Sequence, residues 1–132
     1  MLSVAFACLG LFLLDGHAVT DPPQLLTMQG RLTNASGVPE NGSRDIVVRF
    51  YDLATLGTLL LTDSHTAAGS NAVTVTNGMY DFQLGGGTIT AGSKANLEQV
   101  FRDVNTVWAE LQVGAETLTP RTRIVSSGFA LN

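Results

Sequence analysis

Apolar and polar residues alternate along most of this chain, which is the pattern of β-strands that bury one face. The clearest case surrounds Asn77-Gly78. This dipeptide favours a two-residue type I′ hairpin, because Asn tolerates and Gly readily adopts the positive φ that both central positions need. A two-residue loop also sets the register, and it predicts the cross-strand pairs Thr76–Met79, Val75–Tyr80, Thr74–Asp81 and Val73–Phe82.

The same alternation assigns the two faces of this hairpin, because successive side chains of a strand point to opposite sides. The core face is predicted to hold Val73, Val75, Tyr80 and Phe82. The solvent face is predicted to hold Thr74, Thr76, Asp81 and Gln83, with Met79 as the apolar exception. One face therefore belongs to a core and the other to water.

Further alternating runs predict strands over residues 25–33, 44–53, 58–63, 106–114 and 118–126. In the second of these runs Ile46, Val48 and Phe50 share one face. The opposite face carries Val47, Arg49 and Tyr51, and this partly apolar second face predicts a central strand whose outer side is half covered. Pro120 predicts that the last run is an edge strand or starts late.

One segment has a helical period instead. Leu97, Val100, Phe101 and Val104 stand at positions i, i+3, i+4 and i+7, which predicts a short helix over residues 94–104 with Ser93 as its N-cap. Together the elements predict an all-β fold: an antiparallel β-sandwich of about seven strands with this one helix.

The first residues form an apolar run of a different kind. Residues 2–14 are almost unbroken apolar sequence, too short to span a bilayer comfortably but suited to a secretory signal. Gly16-His17-Ala18 predicts cleavage after Ala18, so we expect residues 1–18 to be a signal peptide and residues 19–132 a single domain. Because no Lys or Arg precedes the run, retention as an anchor or a buried helix is the alternative.

Composition and charge exclude several functions. The 132 residues are 45% hydrophobic and carry 7 basic and 11 acidic residues, for a net charge of −4, so the chain lacks the basic surface that nucleic acids require. The single cysteine, Cys8, lies in the predicted leader, and His17 and His65 are the only histidines. We therefore expect no disulfide, no metal site and no cofactor, and we expect His65 to lie exposed in a loop.

Catalytic patterns are missing as well. The acidic residues show no spacing that singles out a pair for glycoside cleavage, and no nucleophile elbow surrounds a serine. Gly85-Gly86-Gly87 is not followed by the Lys-Ser/Thr pair of a phosphate-binding loop, so it predicts a flexible connection. We expect a protein that is not an enzyme and has no catalytic residues.

Seven segments, in order along the chain, form a set of motifs: Gln29-Gly30-Arg31-Leu32, Gly37-Val38-Pro39-Glu40-Asn41-Gly42, Val48-Arg49-Phe50-Tyr51-Asp52, Val75-Thr76-Asn77-Gly78-Met79-Tyr80, Gln83-Leu84-Gly85, Leu118-Thr119-Pro120-Arg121-Thr122-Arg123-Ile124 and 126–131. Together they resemble a bacterial exported β-domain with the pattern YQGRL, G-x-P-x-x-G, FRLYD, VTNGLF, QLG and LTPRxRLxSVPYAL. The chain departs from the pattern at Met28, where an aromatic is usual, and at Ser127-Gly128-Phe129, where VPY is common.

This resemblance implies a module at the N-terminus of a secreted, surface or tail-fibre-like protein. The function it implies is structural or adhesive, with other copies of the chain or downstream segments of the same surface protein as partners. The location it implies is secreted or at the bacterial cell surface, with no stable membrane span once the signal is removed.

A carbohydrate-binding adhesive module is the alternative function. Sugar-binding β-sandwiches stack exposed aromatic rings on sugar rings, and the candidates for this contact are Trp108, Tyr51 and Tyr80. Trp108 falls on the polar side of its strand, between the apolar positions Val107 and Ala109. A tryptophan in that position either packs under a second layer or faces a ligand.

Overall fold

The computed structural model describes residues 26–124 in full and residues 2–10 by their backbone. These ranges contain ten strands, one α-helix and a 3₁₀ turn at Ala67–Gly69. The elements are β1 (Leu2–Gly10), β2 (Leu26–Asn34), β3 (Gly42–Arg44), β4 (Ile46–Tyr51), β5 (Leu59–His65), β6 (Val73–Val75), β7 (Met79–Leu84), β8 (Thr88–Ala91), α1 (Leu97–Asp103), β9 (Val107–Val113) and β10 (Glu116–Ile124).

All strand pairs are antiparallel, and they form three sheets in the described part of the chain. The largest has the order β10-β9-β4-β5-β8, a second has the order β1-β2-β7, and β3 pairs with β6 alone. The all-β, sandwich-like fold predicted from the sequence is confirmed. β4 lies at the centre of the large sheet and β10 at its edge, as the patterns of these two strands predicted.

The core lies between the inward faces of these sheets, and period-two alternation determines which side chains reach it. Every second residue of β4 and β9 is buried, and the residues between them are half-buried. The buried set includes Ile46, Val48, Phe50, Val107, Ala109, Leu111 and Val113 from the large sheet and Leu26, Met28 and Leu32 from β2. Burial of each large aliphatic or aromatic side chain contributes about 1.5–3 kcal/mol.

The hairpin at Asn77-Gly78 forms, but its strands separate at once. Asn77 has φ 52° and Gly78 φ 83°, as a type I′ turn requires, and Thr76 pairs with Met79. The other three predicted pairs are wrong, because β6 pairs with β3 and β7 pairs with β2. The predicted faces are nevertheless correct: Val73, Val75 and Tyr80 are buried and Phe82 packs against the core.

Contacts with the segment between β2 and β3 account for this separation. Gly78 N–H donates to the Glu40 carbonyl at 2.8 Å, and Leu32 N–H donates to the Gly78 carbonyl at 2.7 Å. The Asn77 N–H donates to the Asn41 side-chain oxygen at 2.7 Å. The turn is thus bound to residues 32–41, which bring β2 beside β7 and β3 beside β6.

The helix is shorter than predicted and begins at a different cap. It spans Leu97–Asp103, and Asn96, not Ser93, is the N-cap, because the Asn96 side chain accepts the Gln99 N–H at 2.9 Å. The Gln99 side chain accepts the Ala95 N–H in return. The apolar stripe is confirmed, with Leu97 and Val100 buried and Phe101 packed against the core.

The backbone of Leu2–Gly10 forms a strand, not the helix considered as an alternative, and it runs antiparallel to β2 with Cys8 opposite Gln29. The predicted cleavage site at Gly16-His17-Ala18 lies outside the described residues, as does the closing motif at 126–131, so cleavage stays a prediction. Among the residues that the structure describes, no helix is long and apolar enough to cross a membrane.

Candidate functional site

Two of the three predicted contact residues meet on the outer face of the large sheet. Tyr51 at the end of β4 and Trp108 in β9 are direct cross-strand partners. Both side chains are half-buried and stand on the side of the sheet away from the core, because their neighbours Phe50, Val107 and Ala109 are buried. The structure therefore brings these two aromatic residues together, although they are far apart in the sequence.

Arg121, from the edge strand β10, organises this surface. Its guanidinium carbon lies 3.6 Å from the centroid of the Tyr51 ring. Its Nη1 donates to the carbonyls of Leu53, at 2.8 Å, and Leu56, at 2.6 Å. Glu110 stands 3.7 Å from Arg121 and 3.7 Å from Arg49, so one carboxylate joins two cations across three strands. Arg121 belongs to the 118–124 segment of the resemblance, but the local pattern around it predicts none of these partners.

The loop that Arg121 holds presents apolar side chains to solvent. Leu56 is 83% exposed and has φ 57°, a left-handed conformation that costs a leucine free energy. Leu53 is also exposed. We call Tyr51, Leu53, Leu56, Trp108 and Arg121 the outer patch.

The cation over Tyr51 bears on the sugar-binding prediction. A sugar ring stacks on a free aromatic face, and the guanidinium of Arg121 already covers one face of the Tyr51 ring. Trp108 is half-buried and is the aromatic of the outer patch left for such stacking. Sugar binding by this pair stays a prediction.

Tyr80, the third predicted contact residue, lies in the core and away from the outer patch. Its side chain is 3% exposed, and its ring centroid lies 6.0 Å from that of Phe82. The hydroxyl has no hydrogen-bond partner among the residues that the structure describes, and burial raises the pKa of Tyr80 to about 12. The core position follows from the alternation of β7, which places Tyr80 on the apolar face.

A groove opens beside the diverging strands β6 and β7. It has a volume of about 470 Å³ and is lined by Gln29, Thr74, Thr76, Met79, Tyr80 and Asp81. Thr74, Thr76 and Asp81 of this lining belong to the polar, solvent-side face that the hairpin pattern predicted. The groove is open to solvent, and its hydroxyl, amide and carboxylate groups could hydrogen-bond a polar ligand.

Asp63 and His65 form a buried polar pair that the sequence analysis missed. The prediction of an exposed His65 is wrong: His65 is 5% exposed, its Nε2 lies 2.8 Å from Asp63 Oδ2, and its ring centroid is 4.6 Å from that of Phe82. Strand β5 continues to His65, so Leu61, Asp63 and His65 share the core face. The alternation of this strand, continued two residues beyond Asp63, predicts that His65 lies on the core face beside it.

Two of the three glycines after β7 donate hydrogen bonds to this pair. Asp63 accepts the Gly85 N–H at 2.6 Å and the Gly87 N–H at 3.0 Å. The loop predicted to be a flexible connection is therefore hydrogen-bonded to a buried carboxylate. This arrangement ties β5 to the connection between β7 and β8.

The hairpin turn itself can be tested at Gly78. A side chain there meets two obstacles, because the residue has φ 83° and a Cβ would lie 3.0 Å from Pro39 Cβ. We expect Gly78→Val to lower the free energy of unfolding by about 2 kcal/mol, measured by urea denaturation. Gly37→Val is the matched control, because Gly37 has φ 82° but open space around it. Equal losses in the two variants would contradict a role for the Pro39 contact.

No group of three or more His, Cys, Asp or Glu side chains is placed to hold a metal ion among the residues that the structure describes. Comparison with known proteins finds no curated protein and no solved structure that matches the chain. A family described as a domain of unknown function, DUF8740, matches residues 27–121, from β2 to β10. Because this match covers most of the 132 residues, the chain belongs to the DUF8740 family.

Proposed function

We propose that this chain is a non-enzymatic structural module through which a secreted, cell-surface or appendage protein assembles with other copies of itself. The observation that carries the proposal is the pairing of Leu2–Gly10 along β2. The edge of the three-stranded sheet accepts this strand of apolar sequence, which residues 11–25 separate from β2 along the chain. Strand addition at such an edge is a physical route to subunit exchange and filaments.

The outer patch supports the same proposal. Leu53 and Leu56 are exposed, and Arg121 fixes the carbonyls of both residues. Exposed apolar side chains on a fixed backbone lose little conformational entropy when a partner covers them, which favours association. The predicted signal peptide over residues 1–18 supports a location outside the cytoplasm, where surface proteins assemble.

The mass of the chain in solution tests this function. We expect a chain cleaved after Ala18 to form multimers whose mass rises with concentration in light scattering, with elongated particles in negative-stain images of the same sample. The uncleaved chain, in which Leu2–Gly10 covers the β2 edge, is the matched control and is expected to remain smaller. A monomer at every concentration after cleavage would contradict assembly as the function.

A further inference from the structure

Strand β2 is paired on both sides only while Leu2–Gly10 is in place. On one side it pairs with β7 from Leu26↔Leu84 to Arg31↔Met79, and on the other with β1 from Leu2↔Asn34 to Gly10↔Thr27. The family match begins at residue 27, so β1 lies outside the domain that the family shares.

Loss of the predicted leader would leave one edge of β2 unpaired. That edge runs from Thr27 to Asn34, and the backbone N–H and C=O groups that face β1 there would lack strand partners. The inner side of β2 is apolar, with Leu26, Met28 and Leu32 fully buried. A long edge of this kind is a template for an incoming strand.

The C-terminal residues carry a sequence similar to the strand that fills this edge. Residues 3–8 read Ser-Val-Ala-Phe-Ala-Cys and residues 126–131 read Ser-Ser-Gly-Phe-Ala-Leu. Both contain Ser, a small residue before Phe, and Ala followed by an apolar residue, in the same order. In an extended strand the same residue types would therefore fall on the same faces.

We propose that the β2 edge is a strand-acceptor site, filled by residues 2–10 before leader removal and by residues 125–132 of a second copy afterwards. The proposal rests on the assembly function proposed above, which requires that the donor be a neighbouring copy. Each copy offers the β2 edge as acceptor and residues 125–132 as donor, so exchange is head-to-tail and forms open filaments unless a ring closes. The leader then blocks assembly until it is cleaved.

Disulfide trapping in the full chain tests this proposal. Cys8 is opposite Gln29, so a tail that takes the place of β1 in the same alignment puts Leu131 opposite Gln29. The test chain carries Cys8→Ser, Gln29→Cys and Leu131→Cys, with a protease recognition sequence inserted after Ala18. It is oxidised before cleavage, and again after cleavage and removal of the leader peptide, and non-reducing gels and peptide mass spectrometry identify the linked residues.

After cleavage, we expect a ladder of disulfide-linked multimers joined between positions 29 and 131, and before cleavage none. The matched control keeps Gln29 and carries Asp81→Cys instead, with the other changes unchanged. Asp81 is the partner of Gln29 on the far side of β2, about 10 Å from a strand on the open edge, and disulfides need Cα atoms within about 7 Å. We expect roughly tenfold less linkage in the control. A bound donor strand raises the effective concentration of the cysteine at position 131 next to position 29, whereas position 81 stays out of its reach.

A second variant of the protein tests the acceptor edge independently. With native Cys8, Gln29→Cys and no cleavage, we expect a disulfide within one copy, since the two positions are register partners. If this disulfide forms but the cleaved chain gives no link between 29 and 131, the tail is not the occupant. A link between 29 and 131 within one copy would overturn the role of the second copy.

The outcomes also separate this inference from the proposed function. Multimers in light scattering without the 29–131 link would leave assembly standing and overturn the β2 edge as its site. Neither multimers nor the link would overturn both. Multimers with the link between copies, absent in the Asp81→Cys control, support both.

Discussion

Asp63→Ala is expected to destabilise the domain by about 3–5 kcal/mol, the usual cost of removing one partner of a buried charged or polar pair. The Asp63 side chain is completely buried and accepts hydrogen bonds from two glycine N–H groups while its Oδ2 lies 2.8 Å from His65 Nε2. Alanine leaves all three partners without their acceptor. The midpoint temperature of thermal unfolding should fall by roughly 10–20 °C.

The control for this prediction is Asp81→Ala. Asp81 is exposed in β7, on the solvent side of the sheet, so the same substitution there should change stability by no more than about 0.5 kcal/mol. Urea denaturation of both variants measures the difference. A loss below about 1 kcal/mol for Asp63→Ala, no larger than one ordinary hydrogen bond, would show that the buried carboxylate is not what holds the glycine loop.

Gly87→Ala is the second substitution with a large expected effect. A Cβ at this position would lie 2.3 Å from the Ser64 carbonyl oxygen and 2.7 Å from Asp63 Oδ1. Neither neighbour can retreat easily, because Ser64 is in the β5 ladder and Asp63 is hydrogen-bonded to the same loop. We expect a loss of about 3 kcal/mol, measured by urea denaturation, since overpacking against backbone is not relieved by a rotamer change.

Gly86→Ala, one residue earlier, is the matched control. Its nearest heavy atom would be the Gln83 carbonyl oxygen at 3.2 Å, a tight contact that a small shift relieves. We expect it to cost about 1 kcal/mol or less. Equal stability of the Gly86 and Gly87 variants would mean that the loop is free to move away from β5, and the hydrogen bonds to Asp63 would then contribute little.

Local pattern predicted the faces of the strands well and their partners less well. Val73, Val75 and Tyr80 are buried as the alternation indicated, yet β6 and β7 each pair with another strand. The turn type depends on two residues, Asn77 and Gly78, and was predicted correctly. The pairing beyond the turn depends on Glu40 and Asn41, which bind the turn from a distant part of the chain.

The predicted contact residues show the same division. Alternation indicated that Trp108 and Tyr51 stand on the side of their strands away from the core, and both do. It carried no information on Arg121, whose guanidinium covers Tyr51 and binds the loop around Leu56, because those contacts join positions 65–70 residues apart. The local pattern therefore could not predict the role of Arg121 in the outer patch, because its partners are distant in the sequence.

The sequence by itself determined the all-β class, the buried faces of β4, β6 and β7, the Asn77-Gly78 turn and the apolar stripe of the helix. These depend on local backbone geometry and on the period of the pattern, which a short window contains. Only the tertiary structure decided which strands are neighbours, that Asp63 and His65 are buried together, and that Leu2–Gly10 pairs with β2. Those features depend on the free energy of contacts between distant segments, which no local window contains.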